Sequence, residues 1–242
     1  MKDISIIIPA WNEAKNLPNR LLEIKNVMED TLLDYEIIVV NDGSTDDTSE
    51  ICTKMISDDR VRVVGYDKNM GKGFALKHGF MYCKGKTVAF VDADSDIPFN
   101  CIKSFLTALE ENGSDVVIGS KYLPNSKFES PLGRKILSRA YNLLVRLLLK
   151  VKVSDTQVGF KVFKRRVLED VFSRILVKRF AFDAELLTVA QMRGYSISEV
   201  PVEVNHDGRV KSVNALEILK MLRDTLAVFF RRYIVRYYDR KP

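Results

Sequence analysis

The chain has 242 residues, 46% of them hydrophobic and 29% charged, which predicts either one large α/β domain or a domain with appendages. Its 38 lysines and arginines against 32 aspartates and glutamates give a net charge of +6, so an acidic partner is expected: nucleic acid, an anionic membrane surface or phosphorylated small molecules. The three cysteines show no CxxC spacing, which argues against a disulfide framework or a zinc site and favours a reducing cytosol.

Short apolar runs alternate with helical patterns along the first half of the chain. The first run, within MKDISIIIPAWNE, is too short for a signal peptide, and the absence of any run of about 18 apolar residues predicts no transmembrane helix. Buried strands are predicted over residues 4–9, 35–42, 61–66, 86–92 and 115–120. Helices are predicted over residues 14–30, 45–57, 71–84 and 98–112, with Pro98 in the first turn of the last. This alternation predicts a mostly parallel sheet with helices on both faces.

Two longer amphipathic helices are predicted in the second half. PLGRKILSRAYNLLVRLLLK, residues 131–150, carries a polar stripe formed by Lys135, Arg139, Asn142, Arg146 and Lys150. A second helix over 214–238 places on one face Leu219, Leu222, Leu226, Phe229, Tyr233 and Tyr237. Two interpretations remain open: ordinary packing of the apolar faces on the core, or interfacial helices that lie on an anionic membrane.

Polar residues follow three of the predicted strands at their carboxyl ends, which is where open α/β sheets bind ligands. They are Asn12, Glu13, Asn41, Asp42, Asp92, Asp94 and Asp96. Neighbouring carboxylates repel by roughly 4 kcal/mol at 4 Å and an effective dielectric of 20, so a site that gathers them needs a cation or bound protons. Carboxylates without histidine or cysteine suit Mg²⁺ or Mn²⁺, which usually share their coordination with substrate phosphates. The acidic rim therefore predicts a metal-bound diphosphate.

Other functional motifs fail on inspection. GYDKNMGKG has the wrong spacing for a P-loop, and GKGFAL lacks the third glycine of a dinucleotide-binding fingerprint. His78 and His206 are isolated in the sequence, which gives little support to a catalytic triad or a zinc site. The basic residues do not follow a known nucleic-acid-binding module, so no nucleic-acid partner is predicted.

Several motifs, in a fixed order, resemble glycosyltransferase family 2. SIIIPAWNE, IIVVNDGSTDDT, NMGKGFALKHG and FVDADSD carry this resemblance, and SDTQVGFKVFKR with FDAELLTVAQMRGYSISEVPVEVNH is similar to its dolichyl-phosphate glucose and mannose synthase branch. The resemblance covers roughly residues 3–212 and implies a GT-A fold, a Rossmann-like α/β architecture. It also implies an inverting transfer from a nucleotide sugar to a lipid phosphate. DTQVGFK favours the glucose-type members and hence UDP-glucose. GDP-mannose or UDP-N-acetylglucosamine donors, a soluble or polysaccharide acceptor, and a non-catalytic membrane adaptor remain alternatives.

The resemblance also assigns roles to individual residues. Those expected at the nucleotide are Pro9, Asn12, Glu13 and Asp42. Asp92 and Asp94 are expected at Mg²⁺ or Mn²⁺ and the diphosphate, with Asp96 as a third metal ligand. The acceptor phosphate is expected at Lys121, Arg134 and Ser138, and the residues expected to close over the phosphates are Lys161, Arg209 and Lys211. A catalytic domain over 1–212 (including the helix at 131–150) and a basic amphipathic tail over 213–242 would lie peripherally on the cytoplasmic face of a membrane.

Overall fold

A computed structural model of the protein describes residues 2–55, 58–94, 96–128, 130–179, 181–205 and 215–239. Its centre is a seven-stranded sheet in the order β3-β2-β1-β4-β7-β5-β8. The strands are β1 (Ile4–Ala10), β2 (Tyr35–Asp42), β3 (Val61–Tyr66), β4 (Thr87–Phe90), β5 (Val116–Ser120), β7 (Lys161–Lys164) and β8 (Ile197–Pro201). Two short strands, β6 (Lys127–Phe128) and β9 (Glu203–Val204), pair in parallel beside it.

The central strands are apolar because both of their faces are covered. Ile6, Ile7 and Ile8 of β1 have no exposed surface, and Ile37 and Ile38 of β2 are equally buried. A continuous run of β-branched residues suits such a strand. Strand β3, at one end of the sheet, is more exposed: Val61 is buried, and the other five residues are partly or fully exposed. The predicted α/β class and mostly parallel sheet are confirmed.

One strand runs against the others. Strand β7 lies between β4 and β5 and is antiparallel to both, while β5 pairs with β8 in parallel. The chain therefore leaves the sheet after Ser120, makes an excursion over residues 121–160, and returns with Lys161 opposite Ile118. Lys161, which was expected to close over the phosphates, is the first residue of β7.

The helices are shorter than their sequence patterns suggested. The structure has α1 (Leu17–Glu29), α2 (Thr48–Met55), α3 (Lys72–Phe80), α4 (Ile102–Glu111), α5 (Leu132–Leu149), α6 (Arg165–Val171), α7 (Phe182–Met192) and α8 (Ala215–Tyr233). A short 3-10 helix, Phe99–Cys101, precedes α4, so Pro98 lies before that turn rather than inside the α-helix. Strand β4 ends at Phe90, two residues before the predicted end, and a turn follows.

The two amphipathic helices pack on the domain and also expose apolar side chains. Helix α8 contacts α5 and α7, with Thr225 and Val228 buried. The sequence pattern placed Asn142 in the polar stripe of α5. In the structure Asn142 is buried and binds the loop at 154–156. Large apolar residues that remain exposed on the two helices are Leu132, Ile136, Leu137, Leu143, Leu147, Leu216, Leu219, Leu226 and Phe230.

Candidate active site

The loop after β4 carries the acidic residues at the carboxyl edge of the sheet. The Asp92 carboxylate accepts a contact of 2.5 Å from the Lys72 ammonium, at the first residue of α3. Burial disfavours the charged form of Lys72, but Asp92, Asp183 and Asp94 outweigh that effect and raise its pKa. Burial likewise opposes the charged form of Asp92, yet the positive charges of Lys72, Lys161 and Arg20 lower the pKa of Asp92. Asp92 is therefore held as a carboxylate.

Two further contacts fix the position of Asp92. The Arg20 guanidinium, almost fully buried in α1, donates to the Asp92 carbonyl at 3.1 Å. On the other side lies Gly159, where an added Cβ would stand 1.8 Å from the Asp92 Oδ2 atom. The carboxylate thus lies directly against the backbone of the excursion. A side chain of any size at position 159 would displace it.

Asp94 lies where negative charge accumulates. Partial burial of its carboxyl group, together with the charges of Asp92 and Asp96, raises the pKa of Asp94 to about 6. The residue as a whole is exposed, so a cation bound from the solvent side would remove the charge crowding. The Asp96 carbonyl accepts from the amide of Asn205, the residue that follows β9, at 2.8 Å.

A buried ion pair lies close to this acidic loop. The Lys161 ammonium, with 1% of its side chain exposed, lies 2.7 Å from the Asp183 carboxylate and also donates to the Val158 carbonyl. Burial lowers the pKa of Lys161, and Asp183 counteracts the shift. Lys161 is therefore paired inside the protein, and its described contacts are with the domain's own groups. The expectation that it closes over a substrate phosphate stays a prediction.

The loops after β1 and β2 hold each other in place. Asn12 has a left-handed backbone (φ 56°), and its side-chain oxygen accepts from the Thr45 amide at 2.8 Å. The Glu13 amide donates to the Thr48 hydroxyl at 2.9 Å, while the Glu13 carboxylate accepts from Asn16. Pro9 is partly buried within β1. The structure thus brings together the residues predicted to bind the nucleotide, at the carboxyl edge of two adjacent strands.

Asp42 organises a third loop at the same edge. Its buried carboxylate accepts from the amides of Met70 and Gly71, at 2.7 and 2.9 Å, and from the Asn69 side chain. Gly71 has φ 96°, a conformation that favours glycine, and Lys72 follows it directly. Asp42 therefore positions the segment that presents Lys72 to Asp92.

The residues predicted at the acceptor phosphate lie on the excursion. The Lys121 ammonium pairs with the buried Asp155 carboxylate at 2.9 Å and lies 4.9 Å from the centre of the Tyr122 ring. Tyr122 and Ser138 share a hydrogen bond of 2.8 Å, so α5 is joined to the strand end that carries Lys121. Arg134 lies within α5, but its side chain is outside the described part of the structure, and so are Arg209 and Lys211.

The donor atoms at this edge suit a hard divalent cation. Within the described residues, no three His, Cys, Asp or Glu side chains converge on one point, so the predicted Asp92, Asp94 and Asp96 set is not preassembled. Mg²⁺ is commonly held by one or two carboxylates and substrate phosphates, rather than by a complete protein cage. Asp92 and Asp94 provide two such carboxylates, and burial together with the negative charges of Asp92 and Asp96 raises the pKa of Asp94, an effect that a bound cation would oppose.

Comparison with known proteins identifies the family. Residues 5–172 match the family described as Glycosyl transferase family 2, which is more than half of the chain. The chain belongs to glycosyl transferase family 2. It is therefore a glycosyltransferase, as the motifs around Asn12, Asp42 and Asp92 predicted.

Relatives in the family point to one branch. The chain is 34% identical over 253 residues to dolichyl-phosphate beta-glucosyltransferase ALG5D of Trichomonas vaginalis, covering 98% of this chain and 77% of that protein. It is 32% identical to dolichyl-phosphate beta-glucosyltransferase of Dictyostelium discoideum, covering 94% of this chain and 74% of that protein. Glycosyltransferase AglD of Haloferax volcanii is also 32% identical; 90% of this chain matches, but that is only 36% of the longer protein. These matches agree with the dolichyl-phosphate hexose synthase branch.

Solved structures of the same architecture confirm the GT-A fold. Glucosyl-3-phosphoglycerate synthase from Mycobacterium tuberculosis, in complex with UDP, superposes with a TM-score of 0.71 at 22% identity, covering 96% of this chain and 80% of that chain. A complex of that synthase with Mn²⁺, UDP-glucose and phosphoglyceric acid superposes with a TM-score of 0.69, covering 96% of this chain and 79% of that chain.

Several residues of the site were missed from the sequence. Lys72 lies within NMGKGFALKHG, one of the motifs that carry the family resemblance, but it was given no role of its own, although it follows Gly71 at the start of a helix on the ligand-binding edge. Arg20 gave a usable signal, because a cation stands on the apolar stripe formed by Leu17, Leu21 and Ile24. Gly159 lies within the DTQVGFK motif, but the motif did not reveal its role, because that role comes from its distance to Asp92.

Proposed function

We propose that this protein transfers glucose from UDP-glucose to a polyprenyl or dolichyl phosphate at a membrane surface, in an inverting reaction that depends on Mg²⁺ or Mn²⁺. The observation that carries the proposal is the pairing of Asp92 with Lys72 beside the charge-crowded Asp94, at the sheet edge where the first two loops meet. The names of the relatives support glucose as the sugar and dolichyl phosphate as the acceptor.

The chemistry needs few catalytic groups. The second pKa of a phosphate monoester is near 6, so the acceptor is already an anionic nucleophile at neutral pH and no general base is required. Its oxygen forms a bond to the anomeric carbon while the bond from that carbon to UDP breaks, and the electron pair leaves with UDP. A metal ion held by Asp92 and Asp94 would supply positive charge for the departing diphosphate.

The protein's own residues then serve to position charge. Lys72 is fixed beside Asp92 and adds a cation at the diphosphate side of the site. Lys121, held by the buried Asp155, offers a cation on the excursion for the acceptor phosphate. Such preorganised charges are effective because they need no reorganisation during the reaction. Arg209 and Lys211 are proposed to close over the phosphates from the segment between β9 and α8.

The exposed apolar side chains of α5 and α8 suit a membrane surface. Among the described residues, no helix is both long and apolar enough to cross a bilayer. Leu132, Ile136, Leu143 and Leu147 lie on one side of α5, with Arg139 and Arg146 exposed beside them. We therefore propose peripheral binding to the cytoplasmic face, with a catalytic domain over 1–212 and a membrane-facing tail over 213–242.

The test is sugar transfer to a short polyprenyl phosphate. Radiolabelled UDP-glucose, UDP-N-acetylglucosamine and GDP-mannose would each be supplied with Mg²⁺ or Mn²⁺, with an EDTA control and an Asp94→Ala variant. We expect labelled lipid from UDP-glucose only, lost with EDTA and in the variant. Labelled lipid from a different donor would mean that the enzyme transfers the sugar of that donor instead of glucose. No labelled lipid from any donor, with folded protein, would refute the lipid-phosphate acceptor.

A further inference from the structure

A basic cleft of about 420 Å³ opens between three segments: the loop after β3 (residues 68–70), the loop before α7 (176–179) and helix α8. We call it the basic cleft. Its charged residues are Lys68, Lys178, Arg179, Arg223, Arg231 and Asp224. Five cations thus face a single carboxylate. None of these six residues was assigned to the sugar donor, the metal or the acceptor phosphate.

The cations of the basic cleft divide into paired and available groups. Arg231 pairs with the Glu185 carboxylate at 2.8 Å, and Arg223 pairs with Asp224 at 2.8 Å. Within the described residues, Lys68, Lys178 and Arg179 make no ion pair, and all three are exposed. The Lys178 ammonium lies 5.5 Å from the centre of the Phe74 ring, and because it is exposed and has no ion-pair partner among the described residues, an anion can still reach it. The excess positive charge therefore belongs to side chains that a ligand can reach.

The walls of the basic cleft are held by a buried glutamate. The Glu185 carboxylate, with no exposed surface, accepts from the Leu176 and Val177 amides at 3.0 and 2.7 Å. Its other oxygen accepts from Arg231 of α8 and from the Tyr238 hydroxyl. One side chain thus fixes both the 176–179 loop and α8. A cleft with fixed walls loses little conformational entropy when it binds a ligand.

The basic cleft adjoins the exposed apolar face of α8. Arg223, Ala227 and Arg231 follow one another at four-residue intervals and line the cleft. Leu226 and Phe230 precede two of them directly and are more than half exposed, so they lie about 100° away around the same helix. If that apolar face enters the hydrocarbon boundary, the cleft opens at the level of the lipid headgroups.

We propose that the basic cleft binds the phosphate of an anionic membrane lipid, as a site separate from the acceptor phosphate site at Lys121. The ligand class is a phosphodiester or phosphomonoester headgroup, for which clustered lysines and arginines provide charge complementarity. A lipid held there would fix the rotation of the enzyme about α8 on the membrane surface. The inference rests on the proposed peripheral membrane binding.

The experiment compares two double variants that remove the same charge. Lys68→Gln with Lys178→Gln removes two available cations of the basic cleft. Lys84→Gln with Lys103→Gln removes two exposed lysines elsewhere, which make no ion pair among the described residues. Each full-length protein would be sedimented with vesicles of phosphatidylcholine alone and of phosphatidylcholine mixed equally with phosphatidylglycerol.

We expect the cleft variant to bind the anionic vesicles about 25-fold more weakly than wild type, or roughly fivefold for each lysine. The control variant should lose less than about threefold, since its lysines lie away from the docking face and are screened. Both variants should bind neutral vesicles as the wild type does. Equal losses in the two variants would show a net-charge effect and overturn the proposal, as would an unchanged cleft variant.

Two further measurements distinguish a lipid headgroup from a free phosphate compound, and the failure of this proposal from the failure of the proposed transfer reaction. Wild-type protein titrated with glycerol phosphate, without vesicles, should bind weakly; tight binding that the cleft variant loses would assign the site to a free phosphate compound and overturn the lipid. Sugar transfer to a water-soluble short-chain polyprenyl phosphate should be equal in wild type and cleft variant. A wild type inactive with every donor would refute the transferase proposal, while the vesicle result would still decide the cleft.

Discussion

Gly159→Ala should separate activity from stability. The new Cβ would stand 1.8 Å from the Asp92 Oδ2 atom, whereas ordinary contact begins near 3.4 Å, so the carboxylate has to move by about 1.6 Å. That displacement breaks its 2.5 Å contact with Lys72. A misplacement of about 1 Å in a reacting constellation can cost about 100-fold in rate. We therefore expect kcat/KM to fall at least 100-fold, which is about 2.7 kcal/mol of transition-state stabilisation.

The stability of this variant should change less than its activity, because the clashing atom is at the end of a short side chain that can rotate away from residue 159. The assay is transfer from UDP-glucose to a short polyprenyl phosphate, together with thermal unfolding. Gly133→Ala is the matched control, since a Cβ there meets nothing within 4 Å and lies in the first turn of α5. A Gly159→Ala enzyme within a few-fold of wild type would refute the role assigned to the position of Asp92.

Three further predictions each concern the environment of a single side chain. Lys121→Met should lower the free energy of unfolding by about 3 kcal/mol, because it leaves the buried Asp155 carboxylate unpaired; adding Asp155→Asn should restore stability in urea melts but not transfer activity. The Lys25 ammonium lies 2.7 Å from the Asp58 carboxylate and lowers the pKa of Asp58 to about 2. The contribution of this ion pair to the stability of the fold is therefore complete above about pH 4 and disappears as the pH falls through 2. Asp58→Asn should therefore destabilise by about 1 kcal/mol at pH 7, allowing for partial exposure, and much less near pH 2; an equal loss at both would contradict the pairing. Ile136→Ser, at a residue 68% exposed, should weaken binding to phosphatidylcholine vesicles about tenfold in sedimentation, and no change would exclude this face of α5.

Local patterns were sufficient to predict the first half of the fold. Strands β2 and β3 occupy the ranges predicted from their apolar runs, and the acidic loop after β4 lies at the expected edge. Strand β7 could not be placed in the same way, because its direction depends on where the excursion returns rather than on its own four residues. The ends of β4 and α3 were overestimated, since apolar residues continue into the turns that follow.

In the site too, local motifs predicted which residues take part, but not their partners from distant parts of the chain. Asp42 was predicted at the nucleotide, and the structure adds that its carboxylate is engaged with the Met70 and Gly71 amides. Glu185 lies in the FDAELLTVAQ stretch that carries the family resemblance, and the structure adds that it binds Arg231, almost fifty positions away. Such pairings depend on chain segments that meet only after folding, and no sequence periodicity encodes them.

The excursion between β5 and β7 is closed where it leaves the sheet and where it returns. Its ends are joined at the sheet, where the Gly119 amide donates to the Phe160 carbonyl at 3.1 Å and the Ser120 and Ser154 hydroxyls meet at 2.5 Å. The outer part of a segment closed in this way, such as helix α5, can vary while Gly159 keeps its place against Asp92. The proposed donor loops belong to residues before the excursion, and the proposed acceptor cation lies within it. A lineage could therefore exchange what receives the sugar while keeping what delivers it.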